Sequence, residues 1–373
     1  MRTSIALMSY TWKQYVGHRA REMMTHASRW SQRRSLPRLV ILPCGGRSLG
    51  SSDLRAWRIG GELRRLGWRV TVVPAQCELE QRLRIIRWEK PDLILIQKGR
   101  HPYNWPHHYS NKLLVFDLDD ADFLDDRQAK QLAACCTASS AVIAGSRYIA
   151  EWCSRYNPNV TVVWTGGLMP AHPPTPPAGR RPVLTWASSD APGYPADADL
   201  VRSLVRKLAE STAFEFRLYG ARRSWDPQFL QQFMELPVPV VTVPFMRHDR
   251  LVRSMSEVAV GLNPIPLEFG YNLGKSFGKV LPYLAAKVAV VASNALEMPQ
   301  FFRHGENGFL ADGFDDWVEC TRKLLTDPGL RERIAENGFG DFRDRLTTAS
   351  AARKIDRILR EVLHGVTSTA SAR

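Results

Sequence analysis

Asn272-Leu-Gly-Lys-Ser-Phe-Gly-Lys-Val-Leu-Pro-Tyr-Leu-Ala-Ala-Lys-Val-Ala-Val-Val-Ala-Ser293 is followed, three residues on, by Glu297-Met-Pro-Gln-Phe-Phe-Arg-His-Gly-Glu-Asn-Gly-Phe-Leu310. The pattern reads as a loop, a helix, a buried strand and a second loop that leads into another helix. Val288 to Ala292 is short, β-branched and uncharged, as a parallel strand covered on both faces is. Gly274, Lys275 and Ser276 fall where the first helix is expected to begin. Free N–H groups and the positive end of the dipole make such a place favourable for a phosphate.

Outward from this stretch the same alternation recurs. Leu39–Leu42, Trp68–Val73, Leu93–Ile96, Leu113–Phe116, Ala141–Ala144 and Val160–Trp164 read as strands of a first half. Val183–Trp186, Phe214–Tyr219, Val240–Val243 and Val258–Leu262 precede the quoted stretch in a second. Helical periodicity separates them, which is the signature of βαβ units and parallel sheets. Between the halves lies Gly166-Gly-Leu-Met-Pro-Ala-His-Pro-Pro-Thr-Pro-Pro-Ala-Gly179. Proline at that density excludes helix and central strand, so the segment is a semi-rigid linker. The expected organisation is a basic arm 1–36, a first domain 37–165, a linker 166–181, a second domain 182–345, a carboxyl-terminal helix 346–364 and a disordered tail 365–373.

Length and composition bound the rest. A chain of 373 residues suits two domains. No apolar run reaches the ~18 residues of a membrane span. Residues 1–7 lack the core of a signal peptide, and the expectation is a cytoplasmic protein. Six scattered cysteines, none in a C-x-x-C pair, read as thiols in a reducing compartment. The net charge of +14 favours an anionic partner. Nucleic acid is not expected, because no helix-turn-helix, RNP-type or zinc-finger signature accompanies the charge. The arm carries seven Arg and Lys against the single acid Glu22. It reads as an accessory surface helix or as an interfacial element in peripheral contact with an anionic membrane.

Three further places carry candidate chemistry. Cys44 to Ser52 is a Gly/Ser loop after the first strand, and Gly45 and Gly46 let backbone N–H groups approach a phosphate. Its glycines do not follow G-x-G-x-x-G, which argues against a nicotinamide fold. The loop 97–109 holds His101, Tyr103, Asn104, Trp105, His107 and His108 after a parallel strand, where sites are built. The run Asp117-Leu-Asp-Asp-Ala-Asp122 allows a metal site, an acceptor-orienting role or helix capping.

Gly278 to Ser293, His304-Gly-Glu-Asn-Gly-Phe-Leu310 and Leu324-Leu-Thr-Asp-Pro328 together resemble the carboxyl half of family-4-type glycosyltransferases of GT-B fold. The resemblance spans about residues 182–363. It implies an α/β architecture of two Rossmann-like parallel-sheet domains facing a cleft, with a nucleotide-sugar donor held by the second and a glycan or lipid-linked acceptor by the first. It implies no separate cofactor and no metal, with retention at the transferred sugar and a role in envelope or polysaccharide synthesis. Lys275, Asp119 and His101 become the catalytic candidates. Gly274, Lys275, Ser276, Lys279, Arg222, Arg223, Phe245, Gly45 and Gly46 become the donor-binding ones. Departures are also plain. Pro282 stands where the family has a ribose-binding glutamate, and that residue's partner, eight positions earlier, falls on Gly274. Glu268 is nearby but out of register, and Lys287 and Ala289 replace the glycine and proline of the family's G-x-P. These departures leave a second reading, a non-catalytic GT-B body that binds without turnover.

Overall fold

The computed structural model describes residues 36–268 and 270–371, together with 16, 17, 20, 23 and 24 of the arm. The interfacial expectation for residues 1–36 therefore lies almost wholly outside the described residues. Two six-stranded, all-parallel sheets organise the chain. The first has the order β2-β1-β3-β4-β5-β6, built from Arg69–Val72, Arg38–Leu42, Leu93–Gln97, Leu114–Leu118, Ala141–Ala144 and Val160–Val162. The second has the order β12-β11-β10-β7-β8-β9, built from Phe309–Ala311, Ala289–Ser293, Val260–Asn263, Val183–Ala187, Glu215–Ala221 and Val240–Pro244. The runs of unbroken apolar residues are explained by helices on both faces. β3 and β4 are buried along their whole length, as are β7 and β10.

Each sheet reverses its strand order once. In the first sheet this happens between β1 and β3, in the second between β7 and β10. At such a point the loops after neighbouring strands diverge and leave a crevice at the carboxyl ends. The first crevice is bordered by the Gly/Ser loop after β1 and by the loop after β3. The second is bordered by Ser188–Tyr194 after β7 and Pro264–Ser276 after β10.

Several expectations change. The first helix, α1, joins Gly50–Ser52, a π turn at Asp53–Arg58 and Ile59–Arg65. Gly274, Lys275 and Ser276 do not open an α-helix. They close a 3-10 turn at Gly270–Gly274, and the Lys275 N–H is taken by the Asn272 carbonyl at 2.9 Å. The helix begins only at Leu281 and runs to Ala285. Pro282 explains the delay, since it tolerates a first helical turn but lacks the N–H and the room that an earlier start requires. The tail also differs: the last helix is continuous from Thr348 to Ser371, through Gly365. Beyond the proline-rich linker the chain crosses itself, with Gly167 bridging to Thr347. Gly166 is required there, because a side chain's first carbon would stand 2.4 Å from the Thr347 carbonyl oxygen.

The crossing sends the last helix back to the first domain. Ala352, Ile355, Ile358 and Leu359 bury themselves with Ile59, Leu63 and Trp68 in one apolar cluster. Trp68 Nε1 donates to Asp356 at 2.6 Å, and Arg360 donates to the Leu66 carbonyl at 2.9 Å. The two domains also meet directly. Leu54 of α1 packs with Val252 and Met255 of the second domain. Glu297, 3% exposed, accepts from the backbone N–H and Nε of Arg147 and from Trp164 Nε1.

Candidate active site between the two sheets

The two crevices face each other, and charged side chains span the gap. Gln97 of β3 pairs in register with Asp117 of β4. The strand ends are therefore level, and the next residue, Lys98, lies against the acid run. Lys98 is 1% exposed and forms an ion pair with Asp119 at 3.2 Å and another with Asp120. Its ammonium also donates at 3.2 Å to Ser51 Oγ, in the first turn of α1 where the Gly/Ser stretch ends. Burial opposes the Lys98 charge, but Asp119 and Asp120 outweigh it and raise its pKa. Arg100 binds Asp122, with Nε to Oδ2 at 2.8 Å, and lies 3.5 Å from Asp120.

From the second domain, Lys275 reaches across to within 3.9 Å of Asp120 Oδ1. Tyr271 crosses beside it, accepting from Arg100 at 2.7 Å and donating to Asp122 at 3.3 Å. Gly274 completes the contact. A Cβ there would lie 2.8 Å from that of Ala121, so its lack of side chain serves the approach of the two backbones. Burial pulls Lys275 below the usual lysine range, partly offset by Asp120. Asp119 is raised by burial in spite of Lys98. Asp120 is held low because Lys98 and Lys275 outweigh the cost of burial.

Lys279 stands one turn further on. Its ammonium is 4.7 Å from the ring centre of Tyr194, which Lys275 also overlies at 5.7 Å, and it pairs with Asp197 at 2.9 Å. Ser276 is half-buried between the two lysines in sequence. Around the corner, Ser189, Asp190, Arg222, Trp225 and Asp226 line a recess of about 350 Å³ at the carboxyl ends of β7 and β8. The Arg222 guanidinium stacks 3.9 Å over Phe245, and its Nε donates to the Ser189 carbonyl at 3.1 Å. Gly220 shapes this edge. Its φ of +100° is left-handed, and a Cβ would collide with the Ser188 carbonyl at 2.0 Å. Arg223 is exposed on the same turn.

The sequence candidates thus divide. Lys275, Lys279 and Asp119 lie on the facing crevices, Arg222 and Phe245 come together at the recess, and Gly45 and Gly46 lie on the first-domain loop that Ser51 ties to Lys98. The Gly45 N–H is bonded to Ser52 Oγ at 3.1 Å, so it closes a turn. His101 is placed differently. Its Nδ1 accepts from the Tyr103 N–H at 3.1 Å, and its Nε2 lies 2.8 Å from the Ala75 carbonyl. Nε2 also lies 2.8 Å from an Arg82 guanidinium nitrogen, so both ring nitrogens are engaged within the first domain. Burial and the neighbouring Arg82 lower its pKa to about 4. That geometry supports the loop, and the His101 ring offers no free nitrogen to the cleft. The acid run is met throughout by cations, since Asp117 binds the buried Arg55, Nε to Oδ2 at 2.9 Å. Lys98, Arg100, Tyr271 and Tyr194 were not among the sequence candidates. The available signal was their position, directly after buried parallel strands or flanking the lysines.

Residues 198–358 match the family model described as glycosyl transferase-like. No curated protein matches. Among solved structures, the chain is similar to sucrose-phosphate synthase from Thermosynechococcus elongatus, at 13% identity and a TM-score of 0.68, covering 88% of this chain and 100% of that one. It is similar to Anabaena HepE in complex with UDP and glucose, at 15% identity and a TM-score of 0.64, covering 87% and 100%. It is similar also to an alpha-glucosyltransferase in complex with UDP, at 11% identity and a TM-score of 0.59, over the same shares. The chain has the two-domain GT-B fold of these glycosyltransferases, and its second half matches a glycosyl transferase-like family model.

Proposed function

We propose that the protein is a glycosyltransferase that moves a sugar from a nucleoside-diphosphate donor, UDP-linked as in the HepE complex, to a glycan or lipid-linked acceptor. The observation that carries this reading is the pair Lys275 and Lys279, side by side over Tyr194 at the switch point of the second sheet. Two ammonium groups in a partly water-excluded crevice stabilise the charge that develops on a departing diphosphate, with no metal required. The nucleoside occupies the recess at Arg222, with Phe245 offering a ring face beside it. The acceptor enters along the first domain, past Asp119 and Asp120. Retention at the transferred sugar, a place in envelope or polysaccharide synthesis and a cytoplasmic location belong to the same proposal.

A second reading is a GT-B body that binds without turnover. It is favoured by Pro282, which is buried where a ribose-binding carboxylate is expected, and by Gly274 at that residue's partner position. Thermal shift against UDP, GDP and ADP separates a nucleotide binder from a bare scaffold. A ligand at about 100 times its Kd stabilises by about 2.7 kcal/mol. Release of UDP from UDP-glucose then separates enzyme from binder. Lys275→Ala is expected to abolish release while leaving the melting temperature of the ligand-free protein near that of the wild type. Full activity in that variant sinks the assignment.

A further inference from the structure

Lys275 does not face an open cleft. Its ammonium is 3.9 Å from Asp120 across the domain boundary. We propose that Asp120 is a carboxylate that exchanges partners: it holds Lys275 until the donor's diphosphate takes that lysine, and then accepts a hydrogen bond from the hydroxyl that attacks the sugar, while the sugar–diphosphate bond breaks and the diphosphate leaves with its electron pair and the hydroxyl's proton. The proposal rests on the reading of the protein as a nucleoside-diphosphate-sugar transferase.

Three observations support the exchange. The first is competition for one ammonium. An ammonium shared by a carboxylate and a diphosphate sets two anions side by side, and the dianionic group binds it more strongly. The second is that Asp120 does not depend on Lys275. Lys98 and Arg100, both from its own domain, remain against it when Lys275 leaves. The carboxylate therefore stays ionised and able to accept a hydrogen bond. The third is that Lys98 is built to hold it. Its side chain is wedged between Asp119, Asp120 and Ser51, and its backbone has φ +59°, a left-handed conformation uncommon for a residue with a side chain. Asp120 is 24% exposed, so a hydroxyl in the cleft reaches it, whereas Asp119 at 8% is behind it. The Ala121–Gly274 contact keeps the two backbones together, and the exchange needs side-chain rotation only.

Such a carboxylate opposes donor binding and aids the attack, so its removal shifts the two in opposite directions. A residue that merely supports the fold does not do this. The test uses Asp120→Asn and Asp120→Ser in the full chain, with melting temperatures to show that both fold. UDP affinity is read by calorimetry, and UDP-glucose hydrolysis is read with water in place of the acceptor. Both variants are expected to bind UDP about fivefold or more tightly than wild type. Both are expected to hydrolyse UDP-glucose at least about tenfold more slowly. Unchanged or weaker UDP affinity overturns the competition. Hydrolysis that rises along with affinity overturns the role toward the hydroxyl. Should the wild type bind neither UDP nor GDP, the transferase reading itself fails and takes the exchange with it.

Discussion

Replacing Arg55 by methionine is the sharpest test of how the acid run is held. Arg55 lies in the π turn of α1, 3% exposed, and Asp117 is the penultimate residue of β4, 1% exposed. The guanidinium donates to both Asp117 oxygens, through Nε at 2.9 and 3.2 Å and through a second nitrogen. It also donates to the Val163 carbonyl at 2.9 Å and to Thr165 Oγ1 at 3.1 Å. Methionine keeps most of the volume, so little cavity forms. What remains is a carboxylate in a water-free sheet interior with its cation gone, and a carbonyl and hydroxyl without their donor. Removing one partner of a buried pair costs about 3–5 kcal/mol. Removing both is far less costly, because no uncompensated charge is left behind. Arg55→Met is therefore expected to lose about 3–5 kcal/mol, and Arg55→Met with Asp117→Leu to recover a large part of it. Urea unfolding, followed by circular dichroism and tryptophan fluorescence, measures both. Agreement between the two probes is needed, since a two-domain chain is not assured of one transition. A loss below about 1 kcal/mol in the single variant, or a double variant no more stable than the single one, refutes the reasoning.

Two other expectations concern stability. Truncation after Leu346 removes Ile355, Ile358 and Leu359 from the first domain's core, at about 1.5–3 kcal/mol for each large side chain, and is expected to give insoluble or unfolded protein. A soluble, cooperatively folding first domain in that truncation contradicts the packing. Acid sensitivity follows from two histidines whose pKa is lowered to about 4, both by burial: His101, opposed also by Arg82, and His248, whose Nε2 is buried without a hydrogen bond and which Asp53 only partly favours. Their folded values lie below the unfolded 6.5, so the unfolded chain takes up the protons first. The stability carried by the neutral rings is thus complete above about pH 6.5 and is lost as pH falls toward about 4. The urea midpoint is expected to drop through that window, and less steeply with both residues changed to glutamine; equal slopes in the two proteins count against it.

The sheets were legible because doubly covered parallel strands leave one signal, an apolar run bounded by turn residues. Leu93–Ile96 and Val258–Leu262 were readable for that reason, and β3 and β10 fall on them. Phe309–Ala311 was not, since three residues inside a glycine-rich turn have no period to detect. The carboxyl-terminal helix expected over 346–364 was plain, but its partner was not. Amphipathic spacing says that a face is buried, not against what. Only the crossing at Gly166 and Thr347 directs the last helix to α1.

The site was legible in halves, for an electrostatic reason. Read along the chain, Asp117–Asp122 is an excess of negative charge that invites a metal, and Lys275 with Lys279 is an excess of positive charge that invites a phosphate. Each inference assumes that the charge is unmet until a ligand arrives. The fold removes that assumption on one side and halves it on the other. The β3–β4 register brings Lys98 against Asp119 and Asp120, and Arg100 follows against Asp122. Facing crevices then set Lys275 against Asp120, more than 150 residues away in sequence. A carboxylate already bound to two cations of its own domain has little need of a metal. Among the described residues the lysine opposite it has one ion-pair partner, at 3.9 Å, and under the proposed function that loose pairing makes Lys275 the cation that an incoming diphosphate takes.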